Sequence, residues 1–119
     1  MSGWIGVDLD GTLASWHGWN VEIGPPVLAM TSRVKNWIRA GIEVRIFTAR
    51  ACAPEQIPMI QAWCLKHIGV VLEVTNVKDF DCMQIWDDRA VRVPINSGAP
   101  CCGNHEYQIP LPVPPAAES

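Results

Sequence analysis

Apolar residues in this chain come in short blocks separated by polar, Gly- and Pro-bearing stretches. Residues 4–9, Trp-Ile-Gly-Val-Asp-Leu, form an apolar run that meets acid near its end, as a strand buried on both faces does where it enters its loop. Pro25 and Pro26 suit the opening turn of a helix, and Val27, Met30, Val34, Trp37 and Ile38 then recur at helical spacing until Gly41. Arg33, Lys35, Asn36 and Arg39 fall on the solvent side of that helix. A second strand is predicted over 42–47, and a second helix over 55–68, with Pro58 tolerated near its start and Gly69 at its end. A third strand is predicted over 70–74 and a fourth over 83–86, running into Asp87 and Asp88. A fifth over 91–95 is expected at a sheet edge, where Pro94 is admissible.

Strand thus alternates with helix, which predicts an α/β fold: a parallel sheet with right-handed crossovers, helices on its faces, and ligands at the carboxyl ends of the strands. A chain of 119 residues has room for one core. From Asn96 onward the composition shifts to Gly, Pro and Ser, and the stretch 109–115, Ile-Pro-Leu-Pro-Val-Pro-Pro, has no capacity for a regular ladder. The expected division is a core over 1–95 and a C-terminal segment over 96–119 whose last ten residues are extended or disordered.

Composition narrows the class. A hydrophobic fraction of 49% with 18% charged residues belongs to a globular chain, and no apolar run reaches membrane-spanning length. The first residues lack the basic patch and long apolar segment of a secretory leader. Five cysteines with no CxxC pair read as reduced thiols, so the expected compartment is the cytoplasm. Cys64-x-x-His67 and Cys101-Cys102-Gly103-Asn104-His105 lack the paired spacing of a structural zinc site. The net charge of −3 is informative once divided. Asp8, Asp10, Asp87 and Asp88 supply four of the twelve acids, and the remaining eight face nine basic residues. The acidity is therefore local, and no basic stripe offers tight binding to duplex nucleic acid.

That local acidity sits at predicted strand ends. Asp8 and Asp10 are two residues apart, so on an extended backbone their carboxylates project to one side, and Gly11 lets the chain turn sharply after them. One carboxylate can attack phosphorus while its neighbour protonates the leaving oxygen and later activates water. Like charges so close call for a cation, and Mg²⁺ takes one or two carboxylates with waters and substrate phosphate. Asp87 or Asp88, at the end of another strand, supplies the further ligand. Taken alone, residues 8–12 are also what a strand followed by a polar turn looks like. Two more apolar runs, however, end in Thr48-Ala49-Arg50 and in Asp87-Asp88-Arg89, and three polar strand ends in one small sheet suggest a site.

In order along the chain, Asp8, Asp10 and Thr12, then Thr48, then Lys78, then Asp87-Asp88 resemble the four motifs of haloacid dehalogenase superfamily phosphatases. The resemblance covers roughly residues 4–93. It implies a Rossmann-like three-layer α/β/α fold with strand order 3-2-1-4-5, and a Mg²⁺-dependent phosphohydrolase. By position, Asp8 resembles the nucleophile and Asp10 the general acid and base, its backbone carbonyl expected on the metal. Thr48 and Lys78 would hold phosphoryl oxygens, with Gly11 and Ala49 at the same phosphate-binding positions, and Asp87 would bind Mg²⁺ with Asp88 as ligand or support. Residues 13–24 and 51–77 leave no space for a cap domain. An open site of that kind admits a large substrate or is covered by another subunit, as in a homo-oligomer.

The expected partner is a phosphorylated small molecule, a nucleotide or a nucleic-acid 3′-phosphate end, the last because 48–50 and 85–89 resemble segments of polynucleotide 3′-phosphatase domains. Trp16 and Trp19 either stack on a base or cover the sheet edge as ordinary aromatics. Arg50 and Arg89 are read as pairing with nearby acids, with a bidentate grip on substrate oxygens as the other role for either. The alternative to an enzyme is a catalytically silent protein of the same fold that binds Mg²⁺ and phosphate or another protein.

Overall fold

The computed structural model describes residues 3–18 and 22–101. The chain divides into two compact units, Met1–Asp88 and Arg89–Ser119, where the sequence expectation placed 1–95 and 96–119. In the first unit, strand β1 (Trp4–Val7) is buried along its whole length. It is flanked by β2 (Glu43–Phe47) and β4 (Cys82–Trp86), and β3 (Glu73–Thr75) lies beyond β2. All pairings are parallel and the sheet order is β3-β2-β1-β4.

Helix α1 (Leu28–Arg39) starts two residues after Pro26, where the proline φ is already helical. It ends as Gly41 takes a left-handed φ of 84° and Ile42 donates back to the Trp37 carbonyl at 2.9 Å. Helix α2 (Ile57–His67) carries Pro58 in its first turn, where a missing N–H leaves no bond unmade. Short 3₁₀ turns, Ala49–Cys52 and Pro54–Gln56, lead into it.

The core lies between the helices and one sheet face. Ile5 and Val7 are in register with Val44 and Ile46, and these four join Met30 and Val34 of α1 and Ile60, Trp63 and Cys64 of α2 in one buried cluster. Both helices therefore occupy the same face. The reason is topological: β1 to β2 and β2 to β3 step in the same direction, and right-handed crossovers then place both helices on one side. The connection from β3 to β4 contains no helix, so among the described residues the opposite face, with Trp4, Gly6, Arg45 and Phe47, has no helical layer. The expected three-layer arrangement is corrected on this point. The opposite face is instead closed over Trp4, which is fully buried: the Arg45 guanidinium lies 4.5 Å above its ring, and its indole N–H donates to Asp79 at 2.8 Å.

Two strands differ from expectation. Pairing of β3 begins only opposite Arg45, so Val70 and Val71 precede the ladder and are exposed. The fifth strand over 91–95 does not form, and the strand order stops at four. Only Arg89 and Ala90 separate Asp88 from Val91, far fewer than the dozen or so residues a parallel crossover needs. The described part of the second unit is a loop instead, closed by the Cys101 N–H on the Arg92 carbonyl at 2.7 Å and turned by Asn96 at φ 62°. The Pro-rich stretch, Cys102 and His105 lie outside the described residues. Among the described residues no helix is long and apolar enough to cross a membrane.

Candidate metal centre

The acids expected at the strand ends are brought together by extending the β1–β4 ladder one residue further. The Asp8 N–H donates to the Trp86 carbonyl at 2.9 Å, which sets Asp8 beside Asp87 and Asp88. The chain then folds back tightly: Leu13 and Ala14 donate to the Leu9 carbonyl at 3.0 and 2.8 Å, with Leu9, Leu13 and Ala14 fully buried as anchors. Gly11 sits at the tip of this turn with φ 90°. The backbone angle favours glycine, and a Cβ there would lie 2.8 Å from an Asp88 carboxylate oxygen, displacing that acid from its present position. Thr12 Oγ1 donates to Asp88 Oδ1 at 3.2 Å and orients that carboxylate.

Asp8, Asp87 and Asp88 each present an oxygen, and the three lie within 4.8 Å of one another. Such crowding has an electrostatic consequence. The Asp8 carboxyl is pushed up from 3.8 to about 7, first by burial, then by its hydrogen bond with Asp88 and the charge of Asp87, against the lowering effect of the Leu9 N–H. Without a cation, Asp8 thus keeps its proton well above the usual carboxylate range. Mg²⁺ fits this donor set: it is a hard cation that takes carboxylate oxygens, and Asp87 is only half buried and Asp88 exposed, which leaves room for the waters it retains.

Asp10 does not join the trio. Its carboxylate turns to Arg50, with Nε on Oδ2 at 2.7 Å and Nη2 on Oδ1 at 2.8 Å, a two-pronged pair. Arg50 is held in turn: Nη1 donates to Gln56 Oε1 at 3.1 Å, and its backbone N–H donates to Thr48 Oγ1 at the same distance. Thr48 directly follows β2, is buried, and donates its own N–H to the Thr75 carbonyl at 3.0 Å. With its hydroxyl oxygen accepting from Arg50, the hydroxyl hydrogen points elsewhere. Ala49 opens the following 3₁₀ turn and is exposed.

Lys78 lies in another place. It is exposed in the 76–81 connection and its charge acts on Cys82, the first residue of β4, whereas the acids follow the last. Trp16 is 43% exposed in the loop after Ala14, whose base is closed by Ser15 N–H on the Pro25 carbonyl and Val27 N–H on the Leu13 carbonyl, both 2.8 Å. Trp19 lies outside the described residues. No cap intervenes among the described residues: 13–18 and 22–24 hold only the bridges of Ala14, and 51–77 hold the 3₁₀ turns, α2 and β3. Cys64 is a core thiol pushed up to about 12 by burial, which keeps it unreactive.

The Asp10–Arg50–Gln56 chain and the Gly11–Asp88 approach were not foreseen as a unit. The signal for the first was present as an arginine two residues after a strand-ending threonine; the second had no signal beyond the glycine itself. Comparisons with profiles of known protein families, with curated proteins and with solved structures found no match.

Proposed function

We propose that the chain is a Mg²⁺-binding module that holds the cation among Asp8, Asp87 and Asp88 and presents it to the phosphate of a nucleotide or nucleic-acid end. The observation that carries this is the convergence of three carboxylates from two adjacent strand ends, with a half-buried Asp8 whose carboxyl is pushed up to about 7 by desolvation and by the acids beside it. Oxygen-only donors and partial exposure favour Mg²⁺ over softer metals. Calorimetric titration of the full chain with Mg²⁺ tests it. Binding is expected in the wild type and is expected to be lost in Asp87→Asn; heat-silent wild-type protein, or an unchanged isotherm in the variant, overturns the reading.

A second reading, hydrolysis in the manner of the haloacid dehalogenase phosphatases, is favoured by the nature of Asp8. A carboxylate at the edge of a cation site, with a second carboxyl two residues on, has the roles such a reaction divides: attack on phosphorus by Asp8, and protonation of the leaving oxygen by Asp10. Mg²⁺ would supply charge neutralisation there. Two features separate this reading from simple binding. Asp10 is engaged with Arg50, and Lys78 stands near the start of β4. Incubating the protein and Mg²⁺ with a 3′-phosphorylated oligonucleotide and with mononucleotides tests it. Phosphate release that disappears in Asp8→Asn supports turnover; no release from any of them leaves a binding protein.

A further inference from the structure

A phosphate brought to this cation also needs a positive side chain, because phosphoryl oxygens left over from the metal carry charge that must be met. The cation expected for that task, Lys78, is exposed in the connection leading to the start of β4. Arg50, by contrast, emerges directly after the end of β2. Its side chain is nine-tenths buried, with Nη1 anchored on Gln56 and the Nε–Nη2 edge turned to Asp10. That edge is the part of a guanidinium that matches two oxygens of a carboxylate or of a phosphate equally well. A lysine has no such fork.

We propose that Arg50 is the phosphate receptor of this site, and that the Asp10 carboxylate occupies its fork as an internal stand-in which an incoming phosphate displaces. The proposal rests on the Mg²⁺- and phosphate-binding reading above and names the residue that completes it. On exchange, Arg50 keeps its anchor on Gln56 and its geometry, two N–H···O bonds to a carboxylate become two to a phosphate, and Asp10 is released toward the bound group. Arg50 thereby links arrival of the phosphate to the freeing of Asp10. An arrangement of this kind also screens against weak anions, since only a ligand that outcompetes a neighbouring carboxylate gains the fork.

The test uses the full chain, inorganic phosphate as the probe, and saturating Mg²⁺, with binding followed by calorimetry. Asp10→Asn removes the charged stand-in, and phosphate affinity is expected to rise about tenfold. Arg50→Lys keeps the charge but removes the fork, and phosphate affinity is expected to fall about tenfold while Mg²⁺ affinity stays within about twofold. In the wild type, which needs no substitution to be folded, the Arg50 Nε–H resonance and the Asp10 carboxyl carbon resonance are expected to move together as phosphate is added. Phosphate binding that is unchanged or weaker in Asp10→Asn, or weakened as much by Lys78→Ala as by Arg50→Lys, overturns the proposal. So do Arg50 signals that stay still while phosphate binds. Absence of phosphate binding in both wild type and Asp10→Asn overturns it as well, while the Mg²⁺ isotherm of the same samples decides separately whether the cation site stands.

Discussion

Where β1 and β4 begin, acids are matched by donors. Asp79 accepts the Trp4 indole N–H and lies 3.6 Å from Arg45, which also meets Glu43 at 2.7 Å and Glu73 at 3.6 Å. The Asp79 carboxyl is accordingly held below the usual carboxylate range, chiefly by the Trp4 N–H. Where the same two strands finish, Asp8, Asp87 and Asp88 face one another, and the Asp8 carboxyl is pushed the opposite way, to about 7. One end of the sheet uses acids to close a structure. The other gathers three of them within 4.8 Å of one another, at the place proposed above for the cation.

The comparison is broken most severely at Asp8. If the chain turns over phosphate esters, Asp8→Asn is expected to lower kcat by at least about 10³-fold, because an amide is no substitute for an attacking carboxylate. The fold should persist, as judged by circular dichroism. Next in size, Asp88→Asn is expected to weaken Mg²⁺ by at least about tenfold, since it alters a ligand or the carboxylate that Thr12 orients. The equivalent change at the matched end, Asp79→Asn, is expected to leave the Mg²⁺ isotherm in place.

Stability should respond with opposite signs at the two ends. Asp79→Ala leaves the indole N–H of a fully buried tryptophan without an acceptor, and Tm is expected to fall by about 5 °C. Asp88→Asn relieves crowding around Asp8, and in metal-free protein at pH 8 Tm is expected to rise by about 3 °C, an increase that Mg²⁺ cancels in the wild type. The pH profile sharpens the same contrast. The folded chain holds the Asp8 proton between about 4 and about 7, where the unfolded chain has released it, so metal-free stability falls as pH rises through that range. For Asp79 the sign reverses: its contribution is present above its unfolded value of 3.8 and is lost as pH falls through the lower folded value. Thermal melts from pH 4 to 8, with chelator and with Mg²⁺, check both. The smallest effect belongs to Glu73→Gln, which removes one exposed member of the Arg45 cluster and is expected to change stability by less than about 0.5 kcal/mol in urea denaturation.

Much of this was legible in the chain because it is local. Pro25-Pro26 and Gly41 bracket α1, the buried run through Val7 makes a central strand, and acids directly following Val7 and Trp86 must lie at strand ends whatever surrounds them. The order of the first four strands agrees with the one the family resemblance implies. The tertiary structure decided which of these ends meet and what they meet. Asp10 finds Arg50 forty residues away, Asp88 finds Gly11 and Thr12 across the sheet, and Lys78 remains in the connection before β4. It also placed both helices on one face and left 91–95 outside the sheet. The physical reason is common to all of these. Propensity and periodicity act over a few residues, whereas a side chain's partner depends on strand order, crossover direction and the length of each connection, which take effect only when the chain closes on itself.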